Sequence, residues 1–165
     1  MAFKKRLLAL FCIGTLAMAA NSCKKDNQDF LFHYLTAQPW ELASVQVTTY
    51  IGSQQISSVI LDDCALSQSF VFNADNTCSY ANFACKSNTA KGSWQFGEGR
   101  IYLNSDIQCA DTTLDGTARD TLNHPFTNAK IQNLGSYSFV LTLGDGYYTS
   151  TTRRVIRQLS FVHPQ

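Results

Sequence analysis

Charge is scarce in this 165-residue chain: Asp, Glu, Lys and Arg make up 15% of it, against about a quarter of an ordinary soluble domain. There is no basic stripe, so nucleic acid is excluded as a partner. Apart from one stretch near the start, no long apolar run exists, and the remainder therefore has no membrane-spanning helix. No Cys-x-x-Cys pair occurs, and His33, His124 and His163 are isolated from one another. That leaves no ligand set for zinc. Asp111, Asp115 and Asp120 lack the odd-position spacing of a calcium loop. No nucleophile, base and orienting acid stand in a recognisable arrangement, so the expectation is a protein that is not an enzyme, with no catalytic residues, no metal and no cofactor.

The apolar stretch that does exist has the layout of a secretory leader. Lys4, Lys5 and Arg6 precede Leu7–Ala20, an apolar run of about 14 residues that is short for a membrane span. Small residues follow, and then Cys23 with Lys24-Lys25-Asp26 behind it. This resembles a bacterial lipobox, in which the cysteine becomes the lipidated first residue of the mature protein. Residues 1–22 are expected to be a signal peptide, with Cys23 the lipidation site. Several acyl chains, palmitate among them, would anchor it stably, since one chain alone binds a bilayer only marginally. Residues 23–30 are then a tether and residues 31–165 a single domain. Removal of Lys4, Lys5 and Arg6 would leave ten basic against twelve acidic side chains, a net charge of −2.

Four cysteines remain for the domain: Cys64, Cys78, Cys85 and Cys109. An even number in an exported chain suggests two disulfides with three possible connectivities. A hairpin narrows the choice. Ser69-Phe70-Val71-Phe72 and Thr77-Cys78-Ser79-Tyr80 alternate on either side of Asn73-Ala74-Asp75-Asn76, a turn of residues that tolerate left-handed backbone. With a four-residue loop, extrapolated pairing places Cys64 opposite Cys85. With a three-residue loop and a bulge at Asn76, the two miss by one residue. Either way they arrive close together, which favours Cys64–Cys85 and leaves Cys78–Cys109 by elimination.

Strand signals recur along the rest of the chain. Trp40–Tyr50 has near-alternation over β-branched residues, and Ile56–Leu61 reads as another strand or an extended connection. Gly92–Phe96 and Arg100–Leu103 flank Gly97-Glu98-Gly99 as a second hairpin. Ser105–Pro125 reads as the longest irregular connection, with room for a short strand and a turn at Asp115-Gly116. Phe126–Leu134 is a strand. Tyr137, Phe139, Leu141 and Leu143 alternate with polar or smaller residues, and Tyr148–Val162 is a long last strand after Gly144-Asp145-Gly146. Phe30–Thr36 is too brief to assign, and no helix longer than two turns is expected. The class is all-β, a barrel or sandwich.

The lipobox, Leu35-Thr36 followed by Trp40-x-Leu42, Asp62-Asp63-Cys64 ahead of Phe70-x-Phe72, Cys85, and Gly92-x-Trp94 together resemble the lipocalin-like lipoproteins of Gram-negative bacteria. The resemblance implies an antiparallel up-and-down barrel of about eight strands and a place in the cell envelope, lipid-anchored at the outer membrane. True lipocalins begin with Gly-x-Trp; here Gln38 stands in place of the glycine. In that family a basic residue of the last strand packs on the tryptophan, a part Arg153, Arg154 or Arg157 could take. Barrels of this size either fill with side chains or hold one small apolar ligand. If hollow, Trp40, Phe70, Phe72 and Trp94 would form the wall. Arg153 and Arg157 would then grip an anionic head group, because guanidinium binds carboxylate or phosphate bidentately. If filled, the domain is a protein-interaction module working from its surface. The small hydrophobic or amphipathic ligand is the first expectation and the filled module the alternative.

Overall fold

The structure, a computed structural model, describes residues 23–61, 64–112, 118–144 and 146–164. The expected leader at residues 1–22, the Asp62-Asp63 pair, the Asp115-Gly116 turn and the centre of Gly144-Asp145-Gly146 lie outside the described residues. The chain divides into two compact units, one ending at His33 and one running from Tyr34 to Gln165.

Helix α1, Cys23–Thr36, corrects the expectation of no helix beyond two turns. The apolar residues Phe30, Leu31, Tyr34 and Leu35 fall at helical spacing, and Pro39, with no N–H and a fixed φ, ends the run. Eleven strands follow: β1 (Trp40–Ile51), β2 (Gln54–Leu61), β3 (Ser69–Phe72), β4 (Thr77–Ala81), β5 (Thr89–Phe96), β6 (Tyr102–Ser105), β7 (Cys109–Thr112), β8 (Ala118–Asn123), β9 (Ala129–Leu134), β10 (Ser138–Leu143) and β11 (Arg153–Val162). Eight of them, all but β2, β7 and β8, close into an antiparallel up-and-down barrel of lipocalin-like form, with β2 as one extra strand. Strands β7 and β8 pair as a separate two-stranded sheet in the stretch expected to be irregular.

Closure depends on how β1 divides its two edges. One edge pairs with β11 from Glu41↔Val162 to Ile51↔Arg153. The other meets β3 only at Trp40↔Phe70 and Glu41↔Ser69, with one further bond from the Leu42 N–H to the Gln68 carbonyl at 2.8 Å. From Val45 to Ile51 that edge is taken by β2 instead. A bulge between Leu42 and Ser44 shifts the alternation by one residue, as an unpaired extra residue must. It explains why Leu42 and Val45, three apart, belong to the same phase.

The β3–β4 hairpin adopts the bulged register, with Phe72 opposite Cys78 and Asn76 at φ 64°. The Asn73 N–H donates to the Thr77 carbonyl at 2.8 Å, and the Thr77 N–H to an Asp75 carboxylate oxygen at 3.0 Å. Cys64 and Cys85 nevertheless form a disulfide, with 5.6 Å between their Cα atoms. Left-handed backbone at Asn82, Ala84 and Cys85 curls the chain back after β4 and recovers the missed residue. Two other strands start later than expected. In β11 the residues before Arg153 are held in a turn, where the Thr152 hydroxyl accepts from the Thr149 N–H at 3.0 Å. Before β9, Phe126 is fully buried and its carbonyl accepts from the Ser105 N–H.

Aromatic rings pack against one another in the interior. Phe70 lies 4.0 Å from Phe72, 4.7 Å from Phe126 and 5.0 Å from Tyr80, centroid to centroid. Phe161 stacks on Phe139 at 5.5 Å, and Phe139 reaches Trp40 at 5.4 Å. Tilted and edge-on contacts of this kind match the negative face of one ring to the positive edge of another. Truncating the central ring, Phe70→Ala, is expected to cost about 3–5 kcal/mol in urea unfolding, through lost burial plus a cavity. Cys64→Ser opens a crosslink of sequence separation 21 and should cost about 3 kcal/mol by the loop-entropy relation, read in the same assay.

Candidate functional site

Of the residues expected to hold a ligand, the four aromatics form one buried cluster, in which Trp40 pairs with Phe70 and Phe70 lies 4.0 Å from Phe72, whereas Arg153 and Arg157 stand apart from it. Trp40, Phe70, Phe72 and Trp94 are all buried, but against neighbouring rings. Phe72 meets Trp94 edge-on at 5.6 Å, and Trp94 meets Phe96 edge-on at 5.4 Å. The Trp94 indole N–H donates to the Asn73 carbonyl at 3.1 Å. Arg153 is exposed and pairs in register with Ile51, at the far end of β1 from Trp40. At about 3.3 Å per residue the two ends are roughly 35 Å apart. Arg157 is half-buried and shares the inward phase with Val47 and Leu143, well away from Trp40. Arg154 points the other way, its guanidinium 3.7 Å from the Tyr148 ring and 4.8 Å from the Tyr50 ring, a cation–π position on both.

None of the three arginines therefore packs on Trp40. His163 does, with ring centroids 3.8 Å apart and planes 28° apart, and its Nδ1 lies 3.1 Å from the Pro39 carbonyl oxygen. Antiparallel pairing brings the C-terminal end of β11 to the N-terminal end of β1, so the arginines at the start of β11 are carried to the opposite rim. The signal was present in the sequence: the inward phase Leu159, Phe161, continued by one step, is His163. The Trp40 indole N–H donates to the Leu35 carbonyl at 3.1 Å, which joins the end of α1 to the barrel rim.

The expected Cys78–Cys109 bridge is not formed; both residues are buried thiols. Cys78 projects inward from β4, with its sulfur 3.3 Å from the Ser105 hydroxyl, whereas Cys109 is fully buried on β7, paired in register with Asn123 of β8. Burial pushes the Cys78 thiol up to about 11, with Ser105 pulling weakly the other way and Asp106 adding to the rise. Elimination failed because it presumed that every exported thiol needs a partner.

Ser93, Asp106 and His124 come together near the β7–β8 sheet. The Ser93 N–H and hydroxyl both donate to the Asp106 carboxylate, at 2.5 and 2.8 Å. His124 Nδ1 meets the Asp106 backbone carbonyl at 3.1 Å, so the serine proton is committed to the carboxylate rather than to an imidazole. The contact is a clamp: at Gly92 a Cβ would collide with the Asp106 carboxylate and crowd Ile107, so the missing side chain lets the chain cross close to β5.

The feature least like an ordinary barrel is β2. All eight of its residues are exposed, including Ile56, Val59, Ile60 and Leu61, each at least half exposed. It ends the nine-stranded sheet, so among the described residues no strand pairs with its outer edge. Native sheets blunt such edges with lysine, proline or a covering loop, because unpaired N–H and C=O groups recruit other strands. Here no charge occurs anywhere from Leu42 to Leu61. The sequence signal is Ile-Ser-Ser-Val-Ile-Leu, in which neither alternating face is polar, unlike a half-buried strand.

Ser93 hydrogen bonds, the backbone one first, hold the Asp106 carboxyl below its usual range. A carboxyl depressed in the folded state contributes stability that is complete above its unfolded pKa of about 3.9 and is lost as pH falls through the lower folded value. Ser93→Ala is expected to move the Asp106 titration upward toward 3.9 in an NMR pH series, and to remove part of the acid-induced loss of stability.

No family model matches this chain, and no curated protein or solved structure does either.

Proposed function

We propose that this is a non-enzymatic lipoprotein of the cell envelope, anchored at the outer membrane through Cys23, whose filled barrel presents β2 as a docking edge for an uncharged strand of a protein partner. The observation that carries the reading is an eight-residue strand with every residue exposed, no charge, and an outer edge left unpaired among the described residues. Strand addition uses such an edge directly: main-chain hydrogen bonds supply affinity, and alternate side chains supply selectivity. The four exposed aliphatic side chains add apolar area of the kind found at interaction sites.

The filled-barrel reading is preferred to the small-ligand carrier because the intended wall is already occupied. Phe70 touches Phe72, Tyr80, Phe126 and Phe161. A ligand would have to displace ring–ring contacts worth about 0.5–1.5 kcal/mol per pair beyond their burial. Of the arginines meant to hold its head group, Arg153 stands at the far rim from Trp40 and Arg157 pairs in register with Val47, seven residues along β1 from it.

The test is a photocrosslinking residue at Ile60 in the full chain, expressed in its own envelope. A covalent protein adduct is expected there and not at Gln132, an exposed position on β9. If Ile60 yields no adduct while a fatty-acid probe changes the tryptophan fluorescence, the docking edge is wrong and the carrier reading replaces it.

A further inference from the structure

We infer that the strand received by β2 is β2 of a second copy of this chain, antiparallel about a two-fold axis through Ser58. The inference rests on the docking-edge reading and names its partner. A closed two-fold pairing uses the same edge on both copies and leaves neither exposed, which would explain why this edge carries none of the usual protection.

The register follows from the side chains. Residues directly opposite one another in an antiparallel pair lie on the same face of the sheet. With the axis at Ser58, Ile56 of each copy faces Ile60 of the other, and Ser57 faces Val59. With the axis at Ser57, Gln54 and Gln55 face Ile60 and Val59. With the axis at Val59, Ser57 and Ser58 face Leu61 and Ile60. An axis at Ile60 would set Val59 against Leu61 but overlap the two strands over only three residues, whereas the Ser58 register pairs Gln55 to Leu61 and sets Ile56 against Ile60 on both sides of the axis.

Charge supports the same partner. From Leu42 to Leu61 the chain has no charged residue, although Asp, Glu, Lys and Arg make up 15% of the whole. A charged strand laid on β2 would lose solvation and gain no counter-charge from β2 or from Val45–Ile51, the part of β1 that pairs with it. The paired part of a second hairpin, Val45 to Leu61, brings no charge of its own. Paired on β2, it gives four consecutive strands with no like-charge contact to oppose association.

The test uses the full chain in the membranes of its host. Ser58→Cys puts a thiol directly across the axis from its own copy. Mild oxidation should then give a non-reducing gel band at twice the chain mass, whereas Gln132→Cys should give none. Adding Ile56→Lys to Ser58→Cys should abolish the band. Adding Ile60→Glu as well should restore it, because the new carboxylate faces the new ammonium only in this register. Retention of the Cys64–Cys85 bridge reports that each variant is folded. A Ser58→Cys adduct of any other mass overturns the second-copy assignment and leaves the docking edge standing. No adduct, with maleimide labelling as fast as at Gln132→Cys, overturns both. A dimer band that the double charge change does not restore overturns the register.

Discussion

Trp40 sits where three parts of the molecule have to agree. Its backbone makes the first of the few pairs that join β1 to β3, and without that contact the eight strands form an open sheet. Its side chain is fully buried against Phe139, its indole N–H is bonded to the end of α1, and His163 closes over its face. A short hydrogen-bonded seam is weak, since each bond adds only about 0.5–1.5 kcal/mol net. What holds the ring closed at this point is the burial of a large aromatic side chain from each side of the seam, Trp40 on β1 and Phe70 on β3.

The same strand produces the exposed edge. Because β1 gives β3 only its first residues, the rest of that edge is free to take β2, and β2 then lies outside the ring with its own edge unpaired among the described residues. The seam and the proposed docking strand are thus two consequences of one long strand shared between neighbours. The interior and exterior also have opposite characters. Inside, the rings meet one another and leave the intended ligand wall in use. Outside, aliphatic side chains stand in solvent where charge would be the rule. The second feature is the one on which the proposed docking strand rests.

Much of the fold was legible because the signals were local. Alternation in Phe139, Leu141 and Leu143, the Asn-rich turn before Thr77, and the glycines between β5 and β6 each report on neighbours a few residues away. The Cys64–Cys85 bridge was legible for the same reason, since one hairpin brings both ends together. The candidate site was less so. The lipocalin resemblance offered Arg153, Arg154 or Arg157 as the basic residue on Trp40, but strand direction places Arg153 a full strand length away and gives the tryptophan to His163. Cys78 and Cys109 were paired by counting, although one lies on the barrel strand β4 and the other on the separate β7–β8 sheet, both as buried thiols. The β7–β8 pairing sits in a polar stretch with weak alternation, where nothing local distinguished strand from loop.

The sequence by itself determined the class of fold, the hairpins and one disulfide, because side-chain alternation and turn residues act over short distances. It also set the absence of charge from Leu42 to Leu61, which is a property of composition. Only the tertiary structure decided which residues share a space: that the interior aromatics pack on one another, that His163 covers Trp40, and that β2 is left at the end of the sheet. Those outcomes depend on strand direction, on the bulge that shifts β1 by one residue, and on how one strand divides its edge between two neighbours. They are properties of long-range pairing, to which a run of ten residues is blind.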